Sequence, residues 1–297
     1  MTQKENPKTI RAYKFSVAPM LDCTDKHFRV LMRHVSKRAL LYTEMVVAQA
    51  LHHSQKREKL LDFYKIEHPI AIQLGGSNPN LLREAAKMAE DWGYDEVNLN
   101  LGCPSSKVLS GKFGACLMAE PDQVARCIEV MSNATNLPVT IKTRLGIDNL
   151  DSNELLISLI DKVAEAGARR FAIHARKAWL KGLNPKENRT IPPLQPERVF
   201  DLKKKRPYLT IELNGGINSI SGCKHALENC DGVMIGRAVY EDPLRWVKID
   251  ELFFGEFPKT ILPSSLIRKM LPHTETHLKN GGRLWDVSRH LIQIVKS

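Results

Sequence analysis

A cysteine at the end of a predicted strand is the residue of this sequence best placed to do chemistry. Residues 95–101 alternate polar and apolar side chains, which predicts a strand, and Gly102 and Pro104 then end it on either side of Cys103. A thiol there is held on a rigid support that a substrate can reach, so it can serve as an acid or a nucleophile. The alternative for a single cysteine is a small buried hydrophobic side chain.

Polar or flexible residues lie at the ends of most of the other predicted strands as well. They are Pro19, Met20, Gln73, Asn100, Lys142, Arg144, His174, Arg176, Asn214, Gly215, Gly216, Gly236 and Arg237. Each of them alone is more often structural than functional. Packing, however, does not explain why so many end successive strands, and their joint placement predicts a shared site.

Two glycine-containing turns, at residues 215–216 and 236–237, indicate a phosphate site. They follow the last two predicted strands, and the backbone N–H groups of these two loops commonly bind phosphate in eight-stranded barrels. Lys142 would stabilise an anionic ring, and the amides of Gln73 and Asn100 can hydrogen-bond a planar heterocycle. The pattern predicts a phosphorylated heteroaromatic cofactor such as FMN, with the thiol of Cys103 facing it.

The elements that must position these residues alternate between strand and helix. Eight predicted strands begin near residues 14, 40, 69, 95, 138, 170, 209 and 232, with predicted helices in most of the intervals. This alternation predicts a (β/α)8 TIM barrel, whose working site lies at the C-terminal ends of its strands. The alternative is an open doubly wound sheet, which usually carries a GxGxxG turn after an early strand; none is present there.

The length of 297 residues suits one such barrel and a small appendage. We predict a frayed tail over residues 1–13, a barrel over 14–257 and a helical appendage over 258–297. The sequence contains no long apolar run and no secretory signal, so we expect a cytoplasmic protein without a membrane span. Lys and Arg exceed Asp and Glu by 11, which suits a nucleic-acid partner, although many basic proteins bind none.

The cysteines and histidines show no metal-binding pattern. The six cysteines form no CxxC pair and no Cys/His cluster with zinc spacing, so we expect free thiols and no bound metal. His52 and His53 are adjacent in a basic stretch, which is more typical of a solvated face than of a ligand pair.

The motifs of the chain resemble those of the tRNA-dihydrouridine synthases over about residues 14–290. The resemblance is carried by strings such as VAPMLDCTDKHFR, YDEVNLNLGCPSSKV, NGGI and DGVMIGR, and the loop HARKAWLKGLNPKENR resembles the A-type subfamily. It implies an FMN-containing TIM barrel with a C-terminal helical RNA-binding domain. The implied reaction is reduction of the uridine C5–C6 double bond at positions 20/20a of the tRNA D-loop, with NADPH as reductant and NADH as the alternative.

The resemblance also implies roles for individual residues. Cys103 falls on the family's proton donor. The implied FMN contacts are Pro19, Met20, Leu21, Gln73, Lys142, His174, Asn214, Gly215, Gly216, Gly236 and Arg237, and the implied tRNA contacts are Asn100, Lys186 and Arg189. Family members usually continue past the segment that resembles residues 285–290, so we expect an incomplete helical domain with weakened binding of whole tRNA. We expect a monomer.

Two other functions stay open. The first is a flavin enzyme that acts on a free pyrimidine, against which the Lys- and Arg-rich loop at 177–189 argues. The second is a tRNA-binding protein with impaired catalysis, which would bind tRNA without consuming NADPH.

Overall fold

The computed structural model describes residues 14–296, and eight parallel strands close into a barrel at its centre. The strands are β1 (Phe15–Val17), β2 (Leu40–Val47), β3 (Ile70–Gly75), β4 (Glu96–Asn100), β5 (Val139–Arg144), β6 (Arg170–His174), β7 (Thr210–Asn214) and β8 (Gly232–Ile235). Each strand pairs with the next, and β8 pairs with β1. The predicted TIM barrel is therefore confirmed, while the predicted tail at 1–13 lies outside the described residues.

Helices connect the strands and extend beyond the last one. They are α1 (Lys26–Val35), α2 (Ala48–His53), α3 (Glu58–Leu61), α4 (Pro79–Trp92), α5 (Ser106–Ser110), α6 (Pro121–Ala134), α7 (Asn153–Glu165), α8 (Pro196–Lys205), α9 (Ile220–Leu227), α10 (Arg237–Glu241), α11 (Ile249–Phe254), α12 (Pro263–Lys279) and α13 (Leu284–Lys296). Short 3-10 helices lie at Lys65–Glu67, Gly114–Ala119, Glu187–Arg189 and Pro243–Trp246. Since strand and helix alternate around the barrel, the helices between the strands pack on the outside of the sheet.

Local caps explain where several of these helices begin. The Asp25 carboxylate accepts hydrogen bonds from the backbone N–H groups of His27 and Phe28 at the start of α1. Asn78 caps α4 in the same way, and Pro79 occupies the first helical position, where its missing N–H costs nothing. The sequence therefore encodes these starts within a few residues.

The alternating strand pattern separates the two faces of the sheet. In β4, Val97 and Leu99 belong to the large apolar core between the sheet and the helices. Asn98, between them in sequence, instead hydrogen-bonds Gln73 in β3 and Thr140 in β5, at 2.8 and 2.9 Å. The polar face of β4 thus lines the interior of the barrel.

The two C-terminal helices, α12 and α13, pack on each other and on α1. From α13, Arg289 and His290 both contact the Asp25 carboxylate, and hydrogen bonds from these two residues hold the pKa of Asp25 below its usual value although burial opposes them. The helical character predicted for this segment is confirmed. The domain boundary at residue 257 stays a prediction. Along residues 14–296, every helix is too short or too polar to cross a membrane.

Candidate active site at the barrel mouth

The register of the strands places the predicted site residues at one end of the barrel. Asn100 at the end of β4 is the ladder partner of Lys142 in β5. One layer further along, Arg144 is the partner of His174, and His174 is the partner of Asn214. These side chains therefore lie on four consecutive strands at their C-terminal ends, which is where a TIM barrel holds its working site.

Asn100 fixes the backbone of the loop that carries the candidate catalytic thiol. Its side-chain oxygen accepts hydrogen bonds from the backbone N–H groups of Gly102 and Cys103, at 3.1 and 2.9 Å. Its amide group donates to the Gln73 side-chain oxygen at 2.9 Å. Cys103 is partly exposed, and its Sγ lies 3.5 Å from the Ser105 hydroxyl. The cysteine thus lies on a tightly held backbone and is in part exposed to solvent.

Gly114 supports the same loop from behind. The backbone N–H of Ala115 donates to the Cys103 carbonyl at 3.0 Å. Gly114 has a φ of +74°, and a Cβ added there would lie 2.7 Å from the Cys103 carbonyl oxygen. Because both the left-handed backbone and the close approach need glycine, any larger residue would push the loop of Cys103 away.

Cations gather at this mouth and repel one another. Burial and the neighbouring Arg144 lower the pKa of Lys142 to about 8. Burial, with a contribution from Arg189, lowers the pKa of Arg144 to about 10, and the group that opposes both shifts is Cys103. No carboxylate of the described residues contributes to either shift. The mouth therefore carries positive charge that this part of the chain does not balance.

His174 is buried and uncharged at neutral pH. Burial and the surrounding cations, Arg144 foremost, hold its pKa well below the usual value. The turn after β7 lies against its ring: a Cβ added at Gly215 would be 2.8 Å from the His174 Nε2. Gly215 and Gly216 have φ angles of +98° and +77°. This turn can approach the imidazole only because both residues are glycine.

The remaining predicted FMN residues lie at the ends of β1, β7 and β8. Met20 is partly exposed, and a Cβ added at Gly236 would lie 3.2 Å from its sulfur. Pro19 is partly exposed beside it, whereas Leu21 is 73% exposed. The Asn214 amide donates to the Met234 carbonyl, and Arg237 is exposed at the start of α10. The geometry places these residues at the mouth and leaves their roles as predictions.

The long loop after β6 carries the two predicted tRNA-binding cations. Asn188, fully buried, closes this loop: its side chain accepts from the Trp179 N–H and donates to the carbonyls of Trp179 and Leu183, at 2.8 to 3.1 Å. Lys186 is exposed. The Nε of Arg189 is buried and has no hydrogen-bond partner among residues 14–296. Since Arg189 also shifts the pKa of Lys142, it lies near the cation cluster.

Two features of the site were not predicted from the sequence. Arg144, predicted only as a strand-end cation, joins the loop of Cys103 to the loop of Asn188 through backbone carbonyls. Below the mouth, Arg170 pairs with Glu96 and with a second buried glutamate on β7. The alternation of polar residues in β4 was the available signal for this interior network, because a polar face in a barrel strand can line the interior.

The described residues fit an anionic, phosphorylated cofactor better than a metal. Among residues 14–296, no three His, Cys, Asp or Glu side chains are grouped so that they could hold a metal ion, and the six cysteines are free thiols. In contrast, the mouth offers unbalanced cations, a buried Arg189 Nε without a partner, and the glycine turn at 215–216. These are the features expected of a site for a flavin phosphate and an anionic ring.

Two solved structures share this fold. A complex of 2-naphthoyl-CoA reductase superposes with a TM-score of 0.60, at 10% identity, and covers 80% of this chain and 50% of that one. The aldolase QR15 superposes with a TM-score of 0.52, at 12% identity, and covers 77% of this chain and 92% of that one. At such low identity, the likeness is one of fold alone.

Sequence relatives define the family. A "tRNA-dihydrouridine(20/20a) synthase" of Synechocystis sp. is 50% identical over 279 residues, which are 94% of this chain and 83% of that protein. A protein of the same name from Shewanella oneidensis is 51% identical over 278 residues, 94% of this chain and 82% of that protein. The family model for dihydrouridine synthase (Dus) matches residues 16–297. The resemblance predicted from the motifs is therefore confirmed, and the chain belongs to the dihydrouridine synthase family.

Proposed function

We propose that this protein reduces uridine to dihydrouridine in tRNA, at positions 20/20a of the D-loop, with bound FMN and with NADPH as reductant. The observation that carries the proposal is the thiol of Cys103, partly exposed and held by Asn100 beside an unbalanced cation cluster. The relatives' shared name supports the choice of substrate and position. We expect a monomer that acts in the cytoplasm.

The mouth offers distinct groups to the parts of an FMN molecule. The backbone of the turn at Gly215 and Gly216, together with the exposed Arg237, would bind the phosphate. Lys142 would lie at the ring system, where its positive charge favours the anionic reduced form. FMN, when bound, supplies the hydride for uracil C6. NADH is the alternative reductant.

Cys103 would complete the reduction by protonating uracil C5. Hydride addition at C6 leaves negative charge at C5, and a neutral thiol is a suitable acid for it. Asn100 would hold the backbone of the Cys103 loop through its side-chain oxygen while the thiol gives up its proton. The resulting thiolate is then stabilised by the nearby Lys142 and Arg144, on whose pKa values Cys103 already acts.

The loop after β6 would hold the RNA strand while its uridine leaves the stack. Unstacking a base costs about a few kcal/mol. Lys186 is exposed and Arg189 is partly exposed, so both can contact phosphates, and such contacts offset that cost. The net positive charge of +11 supports the same step by attracting tRNA over a distance.

Substitution of the thiol tests the proposal. We expect Cys103→Ala to retain yellow flavin and tRNA binding but to form dihydrouridine at least ~100-fold more slowly, since general-acid groups contribute about that much or more. The product is measured by mass mapping of unmodified tRNA incubated with NADPH. Cys116→Ala is the matched control, because Cys116 is another partly exposed cysteine and its Sγ donates to the Phe113 carbonyl. Purified wild-type protein without bound flavin would refute the proposal.

The same assay separates the two alternative functions. Equal turnover of free uridine and of tRNA would favour an enzyme acting on free pyrimidines. Binding of tRNA without NADPH consumption would favour an RNA-binding protein with impaired catalysis. The basic loop that carries Lys186 and Arg189 favours tRNA over a free pyrimidine as the substrate.

A further inference from the structure

Arg144 makes three hydrogen bonds that connect two functional loops. Its Nε donates to the Gly102 carbonyl at 2.8 Å, directly before Cys103. Its terminal nitrogen donates to the carbonyls of Lys177 and Asn188, at 3.1 and 3.0 Å, in the loop after β6. The side chain is only 4% exposed. One buried guanidinium thus holds the backbone of both loops.

No other hydrogen bond within residues 14–296 joins these two loops. The loop after β6 is otherwise tied to the segment that follows β5: the Ala178 N–H donates to the Gly146 carbonyl, and the Asp148 N–H donates to the Ala178 carbonyl. The loop of Cys103 is tied to β4 through Asn100. Arg144 thus supplies the hydrogen bonds that join the two loops, beside an apolar contact between Ala178 and Ala115.

The surroundings of Arg144 favour a geometric role over a role in charge pairing. All three acceptors are neutral carbonyls, and no carboxylate of the described residues pairs with this guanidinium. Arginine presents several N–H donors in a rigid planar arrangement, so it can satisfy carbonyls from two chain segments at once. Lysine keeps the charge but has a single nitrogen on a flexible stem, which cannot reproduce that arrangement.

We propose that Arg144 is a positioning residue that fixes the loop of Cys103 against the RNA-facing loop of Lys186 and Arg189. The acid and the residues that hold the RNA are thereby kept in one relative geometry. A uridine presented by the second loop then meets the thiol of the first. This inference rests on the proposed function, since it assigns a role to the coupling between the two loops.

Alkylation of the thiol tests the coupling without relying on activity. We expect Arg144→Lys to raise the rate at which iodoacetamide modifies Cys103 by about fivefold to tenfold, because loss of one or two net hydrogen bonds frees the loop and exposes more of a cysteine that is only partly exposed in the wild-type protein. Peptide mass mapping reports each cysteine separately. The matched control is Arg33→Lys: Arg33 is 6% exposed and also donates only to carbonyls, those of residues 36, 39, 67 and 69. These carbonyls lie at the opposite end of the barrel, so the control should leave the alkylation rate unchanged.

A second substitution separates coupling from simple loosening. Asn188→Ala removes the internal closure of the RNA-facing loop. If Arg144 transmits the state of that loop, Asn188→Ala raises the alkylation rate of Cys103 in the wild-type background and adds nothing in the Arg144→Lys background. Equal effects in both backgrounds, or an unchanged rate in Arg144→Lys, would overturn the inference.

Kinetics with tRNA give an independent result. We expect Arg144→Lys to lower kcat by about tenfold or more while KM for tRNA changes little, since the groups that bind RNA remain. A change confined to KM would show that Arg144 contacts RNA directly and would overturn the positioning role. Wild-type protein that forms no dihydrouridine would instead contradict the proposed function, whatever the alkylation rates are.

Discussion

Two buried arginines on neighbouring strands have opposite surroundings. Arg170, at the start of β6, is 3% exposed and pairs with both Glu96 and Glu212. Arg144, at the end of β5, is 4% exposed and donates only to carbonyls. The cation is paired with carboxylates at one end of the barrel and has no carboxylate partner among the described residues at the other. The first arrangement stabilises the closed barrel, and the second leaves positive charge available to an anionic ligand.

The interior network extends from the paired end towards the mouth. Tyr42 and Thr140 both donate to the Glu96 carboxylate, at 2.7 and 2.6 Å, and Thr140 accepts from Asn98. Asn98 in turn accepts from Gln73, which holds Asn100. Polar contacts thus run from the ion pairs to the residue that fixes the Cys103 loop. Below the mouth, each side chain of this network has a hydrogen-bond partner within it, so the network is rigid.

Removal of the paired arginine is expected to have the largest effect on stability. Arg170→Met leaves Glu96 and Glu212 buried without their cation, and burial already raises the pKa of Glu212 although Arg170 lowers it. We expect the free energy of unfolding to fall by about 3–5 kcal/mol, the usual cost of breaking a buried pair. Urea denaturation measures it. If the two arginines differ as described, Arg144→Met lowers the free energy of unfolding by clearly less than Arg170→Met. Equal losses for the two variants would contradict this contrast.

The elements of the barrel could be predicted from the sequence because their signals are local. Helix α8 begins at Pro196 and ends at Lys205, as its proline start and lysine-rich end predict. The glycine turn after β7 was predicted for the same reason, since only glycine adopts the required φ readily. Strand β4 was predicted from its alternation alone.

The partners of the buried polar residues could not be predicted. Glu96 is hydrogen-bonded to Tyr42, 54 residues away, and to Arg170, 74 residues away. The sequence around β4 contains no pattern that indicates either partner. The contacts of Arg144 are even harder to predict from the sequence, because its acceptors are backbone carbonyls, which every residue carries. Sequence patterns therefore identified the residues at the mouth without identifying what holds them in place.

A histidine contact joins the barrel to the appendage. Among the described residues, its basic groups are neither paired with carboxylates, as Arg170 is, nor bound to carbonyls, as Arg144 is; they are held in the uncharged form. His27 on α1 and His273 on α12 approach within 2.8 Å between ring nitrogens. Burial lowers the pKa of each to about 4, Asp25 opposes the shift, and His277 and Lys26 add to it. Because the surroundings disfavour the charged rings, protonation weakens this contact.

We expect acid to weaken this contact between the barrel and the appendage. In the unfolded chain these histidines take up protons near pH 6.5, whereas in the folded protein they do so only near pH 4. The contribution of these neutral histidines to the free energy of unfolding is therefore fully present above about pH 6.5 and is lost as the pH falls towards 4. The loss is on the order of 3 kcal/mol per histidine as an upper limit. Thermal unfolding followed between pH 7 and 4 measures it, and His27→Gln should flatten the dependence.

The smallest expected effect on the free energy of unfolding is that of Lys142→Met, and it is a gain where Arg170→Met gives a loss. Burial and Arg144 lower the pKa of Lys142 from 10.5 to about 8, so the unfolded chain binds its proton more readily between those values. The cofactor-free protein should therefore gain stability as the pH rises from 8 towards 10.5. Lys142→Met should remove that dependence and raise the stability of the cofactor-free protein at pH 7 by about 1 kcal/mol, a reduced conversion of the shift because the side chain is partly exposed.

The gain from Lys142→Met should disappear when FMN is present. A bound anion stabilises the charged ammonium, so the wild-type protein should bind FMN more tightly than Lys142→Met does, and FMN should raise its unfolding temperature more. Titration of both proteins with FMN, followed by flavin fluorescence and thermal unfolding, measures the difference. Lys162→Met is the control, because that lysine pairs with Asp122 on the outer surface. If Lys142→Met destabilised the cofactor-free protein, the positive charge at the mouth would already be balanced within the chain, and the contrast with Arg170 would be wrong.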